Sequence, residues 1–383
     1  MSLSRRTFLT AAAAPLFAGK KAPVAQPHIL LILAENLGAW MLGCHGNREI
    51  RTPNIDLLAR SGIRFLNGFV CAPAASAGIP LLMTGRSPSK PAGGRRLPEI
   101  LSQAGYACAE VRNDTPKALA FLDRQGKGKP FFLVAGYDAL AMPPERHAAE
   151  YRNSKFETFG YRGAAPNAAA GKEFFTGIAA SIARVAASVS ALDDEVQALV
   201  DRLQQRGLRD SALVVFTSAG GVLLGRHGLW GDGLSSDPPN MFEEVVQVPL
   251  VWSWHGKTPP ELTRPELISA CDFVPTICDA IDTEAPSDAA LCGQSYLRLA
   301  TNRPLGKKER WPAQVFARLR DVQMVRDSRY KLVIRNAGEG PNELYDLRSN
   351  QRENVNRYDD PAFVTVRDTL RRSLDAWEKK YGS

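Results

Sequence analysis

Glu35 and Asn36 follow a mostly apolar run, HILLILA at residues 28–34, and their side chains suit a metal ion. A carboxylate and an amide oxygen are ligands that hard divalent cations accept. We therefore treat Glu35 and Asn36 as a candidate metal site. A Ca²⁺ or Mg²⁺ ion is expected only if this pair functions as a site, and otherwise no cofactor is expected.

A strand, a turn and a helix would position this pair. The apolar run predicts a central parallel strand that is covered on both faces. The segment TPNIDLLARSG has Pro53 at the first helical position and ends at Gly62, which is typical of a short helix. Ligand sites lie at the carboxyl ends of parallel strands. The turn after residue 34 is therefore expected to face a site.

Further elements predict an α/β domain followed by a smaller unit. Residues 315–336 alternate as antiparallel strands do, and an amphipathic helix follows them to the carboxyl terminus. A short helix is expected to begin near Pro80. The remaining predicted elements are strands at 129–136, 211–218 and 245–254 and a long helix at 173–207. The predicted boundaries are residues 27–305 for the α/β domain and 306–383 for the C-terminal subdomain.

Composition and charge narrow the class of protein. The 383 residues are 44% hydrophobic and 23% charged, which is typical of a globular chain. The net charge of +8 includes four basic residues before residue 27 and no acid there, which leaves +4 for the rest. No basic run with interleaved aromatic residues occurs, so nucleic-acid binding is not expected.

The amino-terminal segment 1–26 resembles an export signal. SRRTFLTAAAAPLFA combines Arg5 and Arg6 with a short apolar stretch and small residues, which is typical of a twin-arginine signal peptide. We expect a periplasmic or secreted protein whose mature chain has no transmembrane segment. The six cysteines show no metal-type spacing, and buried free thiols are expected for most of them.

Seven segments together resemble the sulfatase family, a branch of the alkaline-phosphatase-like superfamily. The resemblance is carried by ILLILAENLGAWMLGCHGNREIRTPNIDLLARSGIRF, LLMTGR, SVSALDDEVQALVDRLQQRGLRDSALVVFTS, HGLWGDG, VPLVWSW, DFVPTICDA and ELYDLRSNQRENVN. It implies an α/β sandwich around a mostly parallel sheet, with a small antiparallel sheet and a helix at the C-terminus. It also implies sulfuric ester hydrolysis with a divalent cation and a formylglycine made from Cys or Ser in a C/S-x-P-x-R motif.

At the positions where the family has its catalytic residues, however, this chain has residues that lack the catalytic side chains. The nucleophile position falls on Ala75, and the proline and arginine of the motif fall on Ala77 and Ile79. Cys71 and Ser76 are the neighbouring candidates for a displaced nucleophile. The alternative interpretations are a small buried cysteine and a helix-capping serine.

The remaining family positions are altered as well. Glu35 and Asn36 stand where the family has two aspartates, and the second pair of metal ligands is Ala219 and Gly220. The positions of the other cationic and acid–base groups fall on Asn113, Thr115, Ala141 and Asp232. His147 is interpreted as a lone surface histidine. His227 and Asp232 are candidate ligand-binding residues. We otherwise interpret His227 as structuring its loop, and Asp232 as a solvated acid or a partner of Arg226.

The sequence therefore predicts a sulfatase-family protein that has lost the formylglycine mechanism. It would be a pseudoenzyme that binds a sulfated glycan, another small anionic ligand or a partner protein. The alternative is an active sulfatase or related phospho- or sulfo-ester hydrolase with a rearranged site.

Overall fold

The computed structural model describes residues 26–160, 163–306, 310–336 and 338–382. The predicted signal peptide lies almost wholly outside these ranges. The strands are β1 His28–Glu35, β2 Ile63–Phe69, β3 Ala107–Arg112, β4 Phe131–Asp138, β5 Ala212–Ser218, β6 Gln247–Trp254, β7 Leu262–Ser269, β8 Val315–Leu319, β9 Val322–Arg326, β10 Tyr330–Arg335 and β11 Glu343–Asp346. The α-helices are α1 Pro53–Arg60, α2 Ala75–Thr84, α3 Leu97–Gln103, α4 Thr115–Asp123, α5 Ala148–Tyr151, α6 Ile178–Gln205, α7 Glu243–Val246, α8 Phe273–Ala280, α9 Leu297–Ala300 and α10 Val364–Tyr381.

β1 lies inside a seven-stranded sheet with the order β3-β4-β1-β5-β6-β2-β7. It pairs in parallel with β4 and β5, and β6 is antiparallel to both of its neighbours. Successive side chains of a strand point to opposite faces of the sheet. Leu30 and Ile32 accordingly pack with α1, α4 and α6, whereas Ile29 and Leu31 pack with α2, α3 and α8. A strand covered on both faces needs an apolar run, which is the reason for the HILLILA sequence.

The second sheet has the order β11-β10-β9-β8, and all its pairs are antiparallel. One face packs on α10 through Val325, Leu332 and Leu370. The other face, with Met324 and Val333, packs on the large domain beside α7. The predicted α/β architecture with a small antiparallel sheet and a C-terminal helix is therefore confirmed. The exact boundary at 305/306 stays a prediction.

Two local predictions were wrong. Helix α2 begins at Ala75 and contains Pro80 in its interior, so it does not begin near Pro80. The residue that precedes its first turn is Ala74, and no side chain caps it. Ser76 is an exposed residue of the first turn and makes no side-chain hydrogen bond within the described residues. The interpretation of Ser76 as a capping serine therefore fails.

One helical stretch of the described residues, Lys172–Gln205, is long and apolar enough to cross a membrane by length and composition. Of its most apolar window, 56% is buried inside the protein. Buried core helices of soluble proteins share these properties, so the stretch is weak evidence for a membrane span.

Candidate functional site

The carboxyl ends of β1, β4 and β5 bring the predicted site residues to one edge of the large sheet. In the strand register, Glu35 lies opposite Asp138 of β4, and Ala34 lies opposite Ser218 of β5. The turns that follow these strands therefore meet where the sequence placed the site.

Glu35 forms an ion pair in place of a metal contact. Its side chain is nearly buried, and its Oε2 accepts a hydrogen bond of 2.6 Å from the Arg112 guanidinium. Burial raises the pKa of the Glu35 carboxyl, Arg112 lowers it, and the nearby Asp138 raises it; the net direction is upward. Arg112 lies at the end of β3, and no sequence motif had marked it.

Asn36 uses its amide within the protein. Its backbone has φ 56°, and its Nδ2 donates to Asp138 Oδ1 at 3.0 Å. The same carboxylate oxygen accepts the Leu140 amide at 3.1 Å, and the Asp138 amide donates to Asn113 Oδ1 at 3.0 Å. Sequence reasoning missed Asp138. Its position directly after the apolar run PFFLVAGY, like that of Glu35 after HILLILA, was the available signal.

The turn after β5 contributes backbone only. The Ala219 amide donates to the Ala34 carbonyl at 2.9 Å, and the Leu37 amide donates to the Gly220 carbonyl at 2.9 Å. Ser218 Oγ donates to the same Gly220 carbonyl at 2.8 Å. Ala219 and Gly220 thus join the turns after β1 and β5, but they have no side-chain oxygen to offer a cation.

The helix with Ala75 at its first position packs directly on that turn. A Cβ placed on Gly78 would lie 2.2 Å from the Ala219 carbonyl oxygen, so backbone meets backbone there. A Cβ on Gly220 would lie 3.5 Å from the Ala75 amide nitrogen. The start of α2 therefore packs on the turn after β5 through main-chain atoms.

These residues do not fit a Ca²⁺ or Mg²⁺ ion. Such an ion needs about six oxygen ligands, several of them carboxylates. Glu35 is bound to a guanidinium, and Asn36 turns its amide nitrogen toward Asp138. Within the described ranges, no group of three His, Cys, Asp or Glu side chains is arranged to hold a metal ion.

Neither displaced nucleophile candidate has an activating environment. Cys71 is buried, and its Sγ lies 3.2 Å from Ser269 Oγ. A hydrogen bond with Cys271, together with burial, raises the pKa of the Cys71 thiol well above its ordinary value. Since the thiolate is the reactive form, the interpretation as a small buried cysteine holds. No described contact links the exposed Ser76 to a general base.

His227 belongs to a structural cluster around Glu244. Its ring stacks on Phe242 with centroids 3.7 Å apart, and its Nε2 lies 3.3 Å from Glu244 Oε2. Arg226 donates to Glu244 Oε1 at 2.9 Å and lies over the Trp40 ring. Burial by itself raises the pKa of Glu244. His227 and Arg226 outweigh that effect and hold it at about 2. His227, at φ 54°, therefore helps to structure its loop, and its role in ligand binding stays a prediction.

Asp232 does not pair with Arg226, whose partner is Glu244. Asp232 Oδ1 accepts the Leu234 amide at 2.9 Å, and its side chain is only partly exposed. Burial raises its pKa. The expected Arg226 pair is therefore wrong, and the carboxylate closes a turn.

The other predicted positions are scattered. Thr115 Oγ1 lies 2.8 Å from the Tyr137 hydroxyl inside the protein, and Ala141 is exposed. His147 is not a lone histidine, because its ring contacts Glu150 at 2.7 Å and Asp194 at 2.9 Å. These two carboxylates raise the pKa of His147 although burial lowers it.

An open cavity of about 400 Å³ lies beside the Arg226–His227 loop. Glu244, Arg352 and Asn354 also line it. A second cavity, of about 470 Å³, shares Arg226 and is lined by Arg348. Sequence reasoning had not singled out Arg348 or Arg352, which lie on the C-terminal subdomain.

Comparison with known proteins agrees with this architecture. The family model described as Sulfatase matches residues 27–115 and 110–283, and the model for the N-sulphoglucosamine sulphohydrolase C-terminal region matches 231–380. Human arylsulfatase D is 45% identical over 67 residues, which are 18% of this chain and only 11% of that enzyme. An ulvan-active sulfatase of Formosa agariphila is 24% identical over 437 aligned positions, covering 93% of this chain and 81% of that enzyme.

A solved structure of a protein in complex with its substrate D-glucosamine-2-N,6-O-disulfate has the same fold. The TM-score is 0.81 at 18% identity, with 93% of this chain and 98% of the other covered. The two family matches together cover most of the chain. The chain therefore belongs to the sulfatase family.

Proposed function

We propose that this chain is an exported sulfatase-family protein that binds a sulfated glycan or a related anionic ligand and does not hydrolyse it by the formylglycine mechanism. The observation that carries the proposal is the packing of Ala75, Ala219 and Gly220. The position that would hold the nucleophile has a methyl group, and the neighbouring turn has backbone where metal ligands would stand.

The simultaneous absence of the nucleophile and of metal ligands supports the loss of sulfuric ester hydrolysis. Removing a single charge-stabilising donor from an active site costs roughly 10²–10³ in rate. Here the nucleophile position and two ligand positions lack reactive side-chain atoms, and Arg112 engages Glu35. The described residues also contain no group of three His, Cys, Asp or Glu side chains to hold a cation that would polarise the ester oxygens.

The arginines around the two cavities support anion binding. We call Arg226, Arg348 and Arg352 the arginine rim. Glu244 neutralises Arg226, but the side chains of Arg348 and Arg352 have no ion-pair partner among the described residues and are exposed. Guanidinium groups bind sulfate and phosphate oxygens in a bidentate manner. One structural neighbour was solved with a disulfated glucosamine, which is a ligand of this class.

Turnover assays test the loss of hydrolysis. The mature chain would be co-expressed with a formylglycine-generating enzyme and assayed on aryl sulfate and aryl phosphate, with and without added Ca²⁺ or Mg²⁺. We expect no metal-dependent turnover, and intact Cys71 and Ser76 by mass spectrometry. Metal-dependent turnover with stoichiometric bound metal would overturn this part of the proposal.

Binding assays test the arginine rim. Arg348→Ala together with Arg352→Ala should weaken binding of a sulfated glycosaminoglycan oligosaccharide at least roughly tenfold, since hydrogen bonds to charged groups are worth about 1.5–3 kcal/mol each. The control is Arg124→Ala, an exposed arginine next to α4. Equal binding of the sulfated and desulfated oligosaccharides, or no effect of the double substitution, would contradict anion recognition at this rim.

A hydrolase with a rearranged site is the second candidate. The observation that favours it is the convergence of Glu35, Asn36 and Asp138 at one sheet edge. This reading requires a ligand or cation to displace Arg112 from Glu35. Metal analysis of the purified chain, repeated with Glu35→Gln, distinguishes the two: metal bound to the native chain and lost in the variant would favour the hydrolase.

Export through the twin-arginine pathway rests on residues 1–26 alone. Replacing Arg5 and Arg6 by lysine should abolish the appearance of the mature chain in the periplasmic fraction. Unchanged fractionation of the twin-lysine variant would contradict this part of the proposal.

A further inference from the structure

Three cysteines that are far apart in the sequence meet in the interior. Cys71 and Cys271 are buried, Cys292 is partly exposed, and all three belong to one small apolar cluster with Leu81. Cys71 and Cys271 belong to the buried part of this cluster, and Cys292 packs against it. Interactions of Cys271 with each of the other two thiols also shift their pKa values. All six cysteines are free thiols in this structure.

The main chain brings Cys271 and Cys292 especially close. Cys271 Sγ donates to the Arg86 carbonyl at 3.3 Å, while the Cys292 amide donates to the adjacent Gly85 carbonyl at 3.3 Å. A Cβ on Gly293 would lie 2.0 Å from the Cys271 carbonyl oxygen. The segments that carry the two thiols are therefore in direct backbone contact.

A cavity of about 550 Å³ is lined in part by Cys271 and Cys292. It lies between the large domain and the C-terminal subdomain, and Phe316 and Trp377, whose rings stack 5.0 Å apart, line its wall. Cys71 does not line this cavity. A small molecule in this cavity can therefore reach the partly exposed Cys292, whereas Cys271 is only 2% exposed and Cys71 is not part of the lining.

We propose that Cys292 and Cys271 form a site of thiol–disulfide exchange that accepts low-molecular-weight disulfides such as glutathione disulfide. The Cys292 thiolate attacks one sulfur of the small disulfide, the disulfide bond of that molecule breaks, and one thiol leaves. Cys271 then gives up its proton, attacks Cys292 in the mixed disulfide and releases the second thiol. The protein loses two hydrogens and gains a Cys271–Cys292 bond, and the small disulfide is reduced to two thiols.

The environment assigns the roles within this pair. The hydrogen bond with Cys271 lowers the pKa of Cys292, although burial keeps it raised overall. Cys292 is thus the accessible thiol whose thiolate has a hydrogen-bond donor beside it, and Cys271 is the resolving thiol behind it. Exchange is expected to be slow at neutral pH and faster at higher pH, because only the thiolate reacts.

A Cys271–Cys292 disulfide would covalently join two segments that are in contact in the reduced protein. Cys271 lies in the short 3-10 turn Ala270–Asp272 before α8. Cys292 follows Leu291, which pairs with Arg86 beyond the end of α2. A disulfide there closes the segment between residues 271 and 292 and restricts the unfolded chain.

Thiol counting on the full mature chain tests the proposal. After incubation with excess glutathione disulfide and removal of the reagent, the six thiols should fall to four, and dithiothreitol should restore them. Peptide mapping of the native chain should show a Cys271–Cys292 peptide, which requires no variant to fold. Cys292→Ser, at a partly exposed position, should keep all five remaining thiols. The matched control Cys108→Ser, also partly exposed, and Cys71→Ser should each still lose two.

Two results would overturn the assignment. One is an unchanged count of six thiols in the native chain at pH 8.5 after prolonged incubation, a pH near the ordinary thiol pKa of about 8.5. The other is a disulfide that persists in Cys292→Ser or maps to Cys71, which would place the exchange on the wrong pair.

Discussion

The Ala219 carbonyl oxygen lies so close to Gly78 that a side-chain carbon on Gly78 would stand only 2.2 Å from it. Gly78 lies in the first turns of α2, and Ala219 in the turn after β5. The helix α2 and the turn after β5 are thus in main-chain contact. This is the place where family members are expected to have a nucleophile opposite a cation. The contact depends on the missing side chain at Gly78, because its partner is the backbone oxygen of Ala219. Ala219 itself has no side-chain oxygen that could bind a cation.

Gly78→Ala should destabilise the protein by about 1–3 kcal/mol, because the new methyl group overpacks a backbone oxygen. The higher helix propensity of alanine, worth about 1 kcal/mol, offsets only part of this cost. Gly220→Ala is the matched control. Its Cβ would meet its nearest atom at 3.5 Å, and its φ is not in the left-handed region, so stability should change little. Urea unfolding measures both variants; equal stability of the two would refute the close-contact argument.

Arg112→Ala should destabilise the protein more at pH 7 than at pH 3.5. The pKa of Glu35 is raised in the folded state above the unfolded value of 4.5. The contribution of Glu35 to the free energy of unfolding is therefore fully present below pH 4.5 and is lost as the pH rises through the raised pKa. Without Arg112 the pKa of Glu35 rises further, and the loss of stability at pH 7 grows by about 1 kcal/mol. This figure is small because the Arg112 side chain is 62% exposed. Arg112→Lys, which keeps the charge, should retain part of the stability. An equal effect at both pH values would show that Arg112 acts through packing alone.

Glu244→Gln should remove a pH-dependent contribution of about 3 kcal/mol at neutral pH, because the folded pKa of about 2 lies below the ordinary 4.5. The sign is opposite to that of Glu35. The contribution is present above pH 4.5 and is lost as the pH falls toward 2. Thermal unfolding between pH 2 and pH 7 should therefore show the native chain and the variant converging in acid. Glu284→Gln, at an exposed position, is the control and should change little; parallel pH profiles of native chain and Glu244→Gln would contradict the assignment.

Lys331→Met should be the most destabilising of these substitutions, by about 3–5 kcal/mol. The Lys331 side chain is fully buried in β10, forms ion pairs with Glu243 and Glu353, and donates to the Met241 carbonyl at 2.7 Å. The substitution leaves the buried Glu353 carboxylate without its cation. Adding Glu353→Gln should recover part of the loss, and the exposed Lys257→Met serves as control. If the second substitution made the protein still less stable, unpaired charge would not be the cause.

Much of the fold could be predicted because its signals are local. The run HILLILA, the Pro53 start of α1 and the helical periodicity before Gly207 each lie within a few residues of the element they define. The start of α2 was missed because Ala75 has no capping side chain before it, while Pro80, a common helix-starting residue, lies inside. Packing against the turn after β5 supports this helix where local signals do not.

The sequence by itself determined which groups are present: it put alanine at position 75 and no side-chain oxygen at 219 and 220. Only the tertiary structure decided what the remaining polar groups do. Glu35 meets Arg112 from 77 positions away, and Asn36 meets Asp138 from 102 positions away. Cys271 likewise meets Cys71 from a remote segment. The physical reason is that these contacts depend on strand order and register in the folded sheet, which bring together residues that share no local pattern.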